Sequence, residues 1–140
     1  MPDRKLAAIT GASAGIGTAF ARKLAARGYD LLLIARREDR LRSLAAELSD
    51  AHHVKADVLV VDLADPAGLE RAAERIQGAA NLELLVNNAG FGLHGLFFES
   101  DVAGQAEMHR LHVMTTLRLM HAALLNLVPR GAGGVIVPVG

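Results

Sequence analysis

The sequence predicts an α/β fold of three layers, in which a doubly wound parallel sheet of about five strands is covered by helices on both faces. Short apolar runs alternate along the chain with longer segments of helical periodicity, which is typical of strand–helix–strand units. Each run is apolar throughout instead of alternating with polar residues, which indicates strands buried on both faces. Right-handed crossovers then give the doubly wound arrangement.

The strands are predicted from apolar runs, three of which end in glycine, asparagine or aspartate. The first run ends at Thr10-Gly11, the third at Asp62 and the fourth at Asn87. The pair Gly133-Gly134 precedes the last run. Such residues are typical of turns, so each run is expected to stop there. The predicted strands are residues 6–9, 31–34, 58–61, 82–86 and 135–137.

The first two helices are predicted from apolar stripes. In the first helix, Ile16, Phe20 and Leu24 recur every four residues and are expected to face the sheet, and Gly28 is expected to end the helix. The second helix repeats this pattern with a stripe at positions i, i+3, i+4 and i+7. That stripe consists of Leu41, Leu44, Ala45 and Leu48.

The third and fourth helices carry clear signals at their ends. Asp65 is predicted as the N-cap of the third helix and Pro66 as its first residue. Its apolar stripe consists of Leu69, Ala73 and Ile76. A long helix is predicted over residues 102–127, ended by Pro129. We expect residues 1–140 to form a single domain.

Composition excludes several classes of protein. Fifteen basic and fifteen acidic residues give zero net charge, so no overall field favours nucleic acid or an anionic membrane. The absence of cysteine excludes disulfides, thiol catalysis and cysteine-ligated zinc. The six histidines do not form a ligand pattern, so we expect no metal site. No apolar run is long enough for a membrane span or a strong signal peptide, so we expect a cytoplasmic protein.

A glycine cluster between the first strand and the first helix predicts a nucleotide site. Gly11 allows a tight turn, Gly15 allows the backbone to approach a pyrophosphate, and Gly17 allows close packing of the helix. The N–H groups at the helix start favour phosphate. The spacing is G-x-x-x-G-x-G, unlike the commoner G-x-G-x-x-G fingerprint. The alternative is a glycine-rich turn in a purely structural domain.

Two arginines follow the second strand, where many dinucleotide-binding folds carry an acid that binds the adenosine ribose. Arg36 and Arg37 occupy this position, and no acid comes before Glu38. Guanidinium groups pair well with a ribose 2′-phosphate, so the sequence favours NADP over NAD. The Ser13 hydroxyl is a further candidate for that phosphate. The alternative is a solvated arginine pair.

Polar residues also follow the third and fourth strands. Asp62 is a candidate for binding the adenine amino group, with Leu63 beside the base, or else a turn aspartate. After the fourth strand come Asn87 and Asn88, then Ala89 and Gly90. Small and amide-bearing residues suit a strand end that faces a ligand and ties neighbouring strands together. By composition alone they are also typical of a turn.

Taken together, these motifs resemble the short-chain dehydrogenase/reductase family. The resemblance runs from about residue 4 to the last residue. It implies a Rossmann fold, an NAD(P) cofactor and hydride transfer between nicotinamide and an alcohol or ketone, with a small carbonyl or alcohol compound as substrate. The residues that the resemblance and the loop pattern together assign to the cofactor are Gly11, Ser13, Ala14, Gly15, Ile16, Gly17, Arg36, Arg37, Asp62, Leu63, Asn88, Ala89 and Gly90.

The sequence also departs from the family pattern. Family members use a tyrosine and a lysine in Tyr-x-x-x-Lys together with a serine, whereas the one tyrosine here is Tyr29, expected on the wrong side of the fold. By alignment Gly140 falls just before the serine position, and His112 falls at a catalytic asparagine of the long helix. Pro138 stands where asparagine is common.

These departures lead to three expectations about the chain. It would be the cofactor-binding part of a C-terminally truncated dehydrogenase, with a fold incomplete relative to the family. It would be inactive alone, and its uncovered fifth strand would favour poor solubility or self-association. The alternative is a non-catalytic NADP-binding or interaction protein that pairs with a full-length relative through the long helix. A methyl-donor-binding enzyme is disfavoured because Arg36 replaces the expected acid.

Overall fold

Five parallel strands form one sheet in the computed structural model, which describes residues 4–88, 98, 101–131 and 133–139. The order across the sheet is β3-β2-β1-β4-β5. From β1 the chain adds β2 and β3 on one side of the sheet and then β4 and β5 on the other side. The crevice beyond the carboxyl ends of β1 and β4, where this order reverses, is where open α/β sheets bind ligands. The strands are β1 (Leu6–Thr10), β2 (Asp30–Ala35), β3 (Ala56–Val60), β4 (Leu82–Asn87) and β5 (Val135–Pro138).

Among the described residues, four helices cover the sheet in two layers. They are α1 (Gly15–Ala26), α2 (Glu38–His52), α3 (Pro66–Gln77) and α4 (Val102–Leu127). One buried cluster joins α1 and α2 to one face of the sheet, and another joins α3 and α4 to the other face. This arrangement confirms the predicted three-layer, doubly wound α/β fold. Within the part of the chain that the structure describes, no helix is both long and apolar enough to cross a membrane.

Burial of the strands differs from the prediction at the edges of the sheet. All residues of β1 are buried, whereas β3 and β5 are largely half-buried or exposed. The reason is position, since each of these two strands pairs on one side only in the described sheet. The third strand also begins earlier than residues 58–61, because Ala56 and Asp57 pair with β2 although hydropathy alone does not mark them as strand.

The predicted stripe of α1 is correct for Leu24, which is buried, and for Phe20, which packs partly buried against the core, but wrong for Ile16. Ile16 is 56% exposed, and the residues that face the sheet are Gly17, Ala21, Leu24 and Ala25. Successive helical residues are turned by 100°, so the close packing of Gly17 turns Ile16 outward. The predicted stripe of α2 is confirmed, since all four of its residues are buried.

The ends of α1 and α3 follow the sequence signals, with one difference. Gly28, just beyond α1, has φ +88°, a conformation that glycine adopts easily. Asp65 occupies the N-cap position of α3 and Pro66 begins the helix, but the Asp65 side chain accepts no capping hydrogen bond. Its backbone carbonyl accepts the first helical hydrogen bond, from the Leu69 N–H 2.9 Å away. Leu69 itself is half-buried and packs against the core.

Candidate cofactor-binding site

The glycine loop leaves β1 at the crevice between β1 and β4. Gly11 has φ +62° and Gly15 has φ +56°, a region that favours glycine. A Cβ atom on Gly11 would lie 2.9 Å from the Asn88 carbonyl oxygen, and one on Gly17 would lie 2.1 Å from the Gly11 carbonyl oxygen. Gly11 and Gly17 are thus required by packing within the protein.

Gly15 differs from the other two glycines. A Cβ atom built on it meets no atom of the described residues within 4 Å, so the space beside it is open. Ala14, Gly15 and Ile16 are all exposed at the start of α1. Ala14 occupies the N-cap position and makes no side-chain capping bond. The start of α1 therefore lies exposed and without a side-chain cap, and the free N–H groups of such a helix start favour an anion.

Two side chains tie the glycine loop to the strand ends beside it. The Asn88 backbone N–H donates to the Thr10 hydroxyl over 2.8 Å, and the Asn88 side-chain amide lies 3.5 Å from the Gly11 carbonyl oxygen. On the other side, the Asn87 amide donates to the Thr116 carbonyl oxygen of α4 over 3.4 Å. The Asn87 Oδ1 atom also accepts from the Thr10 hydroxyl over 3.4 Å, so both asparagines tie the end of β4 to β1, as expected.

The loop also contacts β2, which brings it close to the arginine pair. The Ala12 N–H donates to the Ile34 carbonyl oxygen over 3.4 Å. Arg36 follows two residues after Ile34, and Ser13 follows directly after Ala12, so both lie at the same edge of the sheet. Arg36 and Arg37 are exposed, and neither makes an ion pair with a described residue.

The third strand end contributes Asp62 in a turn. The Asp62 side chain is exposed, and its Oδ1 atom accepts a hydrogen bond of 2.9 Å from the Ala64 N–H. One oxygen of the Asp62 carboxylate therefore stabilises the turn, as expected for a turn aspartate. Leu63 is 6% exposed and belongs to the core between the sheet and α3 and α4. A contact of Leu63 with a base would have to come from its backbone.

Gly68 holds this turn against α3, and the sequence analysis missed it. A Cβ atom on Gly68 would lie 2.3 Å from the Asp62 carbonyl oxygen. The signal in the sequence is a glycine in the first turn of a helix, six residues after the aspartate. In the sequence alone, this glycine cannot be told from one that a helix merely tolerates with a small loss of stability.

His112 lies on the opposite side of Asn87 from the glycine loop. It is half-buried on α4 and lines a cavity of about 300 Å³ with Thr116, Pro138 and Val139. Pairing of β5 continues past Pro138, since the Val139 N–H donates to the Asn87 carbonyl oxygen over 3.0 Å. The structure thus places His112 at the carboxyl edge of β4 and β5.

The remaining predicted residues lie away from this crevice or outside the residues that the structure describes. Ala89 and Gly90 fall outside the described residues. Tyr29 directly precedes β2, at the amino edge of the sheet, and packs partly buried against the core, as expected. The described residues contain no group of three or more histidine, aspartate or glutamate side chains that could hold a metal ion.

Comparison with known proteins identifies the family. The family model described as short chain dehydrogenase matches residues 5–140. The chain belongs to the short-chain dehydrogenase family. Members of this family are oxidoreductases that bind a nicotinamide cofactor.

Individual relatives agree with this assignment. Sulfoacetaldehyde reductase 2 of Chromohalobacter salexigens is 36% identical over 134 residues, which cover 94% of this chain and 52% of that protein. A short-chain dehydrogenase from Sphingobium yanoikuyae, solved in complex with NADPH, is 38% identical with a TM-score of 0.89, and the match covers 97% of this chain and 53% of that one.

A further solved relative is L-sorbose reductase from Gluconobacter frateurii, in complex with NADPH and L-sorbose. It is 34% identical with a TM-score of 0.85, and the match covers 97% of this chain and 52% of that one. The chain therefore spans about half the length of the relatives it matches.

Proposed function

We propose that this chain forms the cofactor-binding part of an NADP(H)-dependent oxidoreductase that transfers hydride between nicotinamide and an alcohol or ketone. One observation carries the proposal. The open glycine loop at the β1–β4 crevice lies beside Arg36 and Arg37, where an NAD-specific site would present an acid. Two relatives solved with NADPH support this choice of cofactor.

The geometry of the described residues fits a dinucleotide. The open space beside Gly15 and the uncapped start of α1 suit the pyrophosphate. We assign the 2′-phosphate to Arg36 and Arg37 with Ser13, and the adenine to Asp62 and the Leu63 backbone. When bound, the nicotinamide ring supplies the hydride chemistry, and this chain supplies its binding and orientation.

The remaining predicted residues are proposed for the nicotinamide half. Asn88 is held at the crevice by Thr10, and Ala89 and Gly90 follow it in the sequence. We propose that they lie beside the nicotinamide ribose. His112 is proposed as a residue of the substrate side, because it lines the cavity next to β5.

A titration tests the cofactor assignment directly. We expect the chain to bind NADPH at least about tenfold more tightly than NADH, because charge-assisted bonds to the 2′-phosphate are absent with NADH. Arg36→Asp is expected to remove this preference or reverse it. Arg71→Asp, on the exposed surface of α3, makes the same change of charge as a control. Binding of neither dinucleotide, or equal binding of both, would overturn the proposal.

A non-catalytic NADP-binding protein is the second candidate, and one observation favours it. The one tyrosine of the sequence lies at the amino edge of the sheet, away from the glycine loop, and these residues contain no Tyr-x-x-x-Lys. We propose that these 140 residues bind cofactor without turnover. A panel of ketones with NADPH tests this, since steady oxidation of NADPH by the pure chain would contradict it.

Association with another chain is part of this proposal. The exposed side of α4 carries large apolar residues, a composition that favours burial in an interface. They include Val113, Met114, Leu117 and Leu124, and Val128 continues this surface just beyond the helix. We propose that α4 mediates pairing with a second copy or a longer relative. Light scattering after size-exclusion chromatography measures this directly, and Leu117→Glu is expected to shift the chain toward monomer.

A further inference from the structure

A cavity between α1 and α2 shares Ser13 with the proposed phosphate site. Ser13 from the glycine loop and Arg40 from the first turn of α2 both line this cavity, which has a volume of about 320 Å³. Because Ser13 is a candidate for the 2′-phosphate, Arg40 lines the same space as a residue proposed to bind that phosphate. The sequence analysis did not single out Arg40.

Arg40 resembles Arg36 and Arg37, and differs from Arg22 and Arg42, in that no described carboxylate neutralises its charge. On α2, the Arg42 Nε atom pairs with the Glu38 carboxylate over 2.8 Å. Across the cavity, Arg22 pairs with Glu47. Arg40 makes no ion pair with any residue that the structure describes, and its side chain is exposed. Its charge is therefore available to a ligand.

Asp39 is the opposing charge in this cavity. It also lines the cavity and makes no ion pair with a described residue. A carboxylate here repels a phosphate dianion, whereas Arg40 attracts it. Asp39 and Arg40 therefore have opposite effects on the binding of a phosphate in this cavity. The charges of Arg22 and Glu47 offset each other because the two side chains form an ion pair.

We propose that Arg40 is a third specificity-determining arginine, which binds the 2′-phosphate of NADP(H) together with Arg36 and Ser13 and is opposed by Asp39. This inference rests on the proposed function, because it requires that the chain bind NADP(H). It goes further by assigning the cavity between α1 and α2 to the phosphate and by predicting whether each substitution strengthens or weakens the binding of NADPH.

The test compares binding of NADPH and NADH by isothermal titration in single variants of the whole chain. Arg40→Ala is expected to raise the Kd for NADPH about 3–10-fold and to change the Kd for NADH less than about twofold. Asp39→Asn is expected to lower the Kd for NADPH about 2–3-fold. Because both side chains are exposed, neither substitution removes core packing.

Arg27→Ala is the matched control, since it removes the same charge from the far end of α1, at the amino edge of the sheet. It is expected to leave both Kd values unchanged. If Arg40→Ala affects NADPH and NADH equally, or neither, the role of Arg40 is wrong while NADPH selectivity in the unaltered chain still supports the proposed function. If the unaltered chain binds neither dinucleotide, both fail together.

Discussion

The Asn88 backbone N–H donates a hydrogen bond of 2.8 Å to the hydroxyl of Thr10, which is fully buried. This bond joins the carboxyl ends of β1 and β4 at the crevice. It therefore holds the glycine loop, which begins at Gly11, against the segment that follows β4. The proposed site depends on this contact because its two halves come from strands far apart in the sequence.

Thr10→Val is expected to lower the free energy of unfolding by about 1–2 kcal/mol, because the partly buried Asn88 N–H loses its acceptor while the side-chain volume stays about the same. Urea denaturation measures the loss. Thr10→Ser keeps the hydroxyl, so hydrogen exchange of the Asn88 amide should stay slow in Thr10→Ser and become faster in Thr10→Val. Equal exchange rates in the two variants would contradict this account.

Periodicity made much of the fold predictable. The stripe from Leu41 to Leu48 follows from apolar spacing and the end of α4 from the position of Pro129, and the structure agrees with both. The turn-forming residues likewise marked the strand ends correctly to within a residue or two. Such signals are local, so a single sequence contains them.

Contacts between distant residues were not predictable. Ile16 has the same spacing as a core residue, yet the packing of Gly17 against Gly11 turns it outward. Gly68 and Arg40 look ordinary in the sequence, and only the structure brings them to Asp62 and Ser13. In each case, the deciding partner lies in another element.

Gly17→Ala is expected to destabilise the chain by about 2–4 kcal/mol, because the added methyl group would overlap the backbone of Gly11. Gly15→Ala is the matched control, since only its positive φ opposes a side chain, and it should cost about 1–2 kcal/mol. Thermal and urea unfolding of both variants measure the difference. Similar stability of the two would mean that α1 packs less closely than the structure shows.

Asn126 is expected to stabilise the end of α3. Its side-chain amide lies 3.0 Å from the Ile76 and Gln77 carbonyl oxygens and 2.6 Å from that of Ala79. Asn126→Leu is therefore expected to lower the free energy of unfolding by about 1–3 kcal/mol, since these carbonyls lose a buried donor. Urea denaturation measures it.

Arg130 is coupled to Asn126 and provides the control. Its Nε atom donates to Asn126 Oδ1 over 2.9 Å, and its other nitrogens donate to the carbonyl oxygens of Ala80 and Leu82. A double-mutant cycle of Asn126→Leu and Arg130→Ala should give a coupling energy of at least about 0.5 kcal/mol. Additive effects would mean that the two side chains act independently.

The Glu70–Arg118 pair is expected to make stability depend on pH. Arg118 donates to both Glu70 carboxylate oxygens, over 2.8 and 2.9 Å, and so joins α3 to α4. These hydrogen bonds hold the pKa of Glu70 below its ordinary value. A depressed carboxyl pKa stabilises the fold above the pKa of the unfolded chain, and this contribution is lost as pH falls through the folded-state pKa.

Arg118→Ala should therefore be less stable than the unaltered chain at pH 7, and the difference should shrink as pH falls below about 4. Carboxyl NMR titration of Glu70 should show its pKa rise toward the ordinary value in this variant. Arg71→Ala, which removes a charge from α3 itself, is the control and should leave the Glu70 titration unchanged. A stability difference that stays constant from pH 7 to pH 3 would show that Arg118 acts through packing and not through the Glu70 charge.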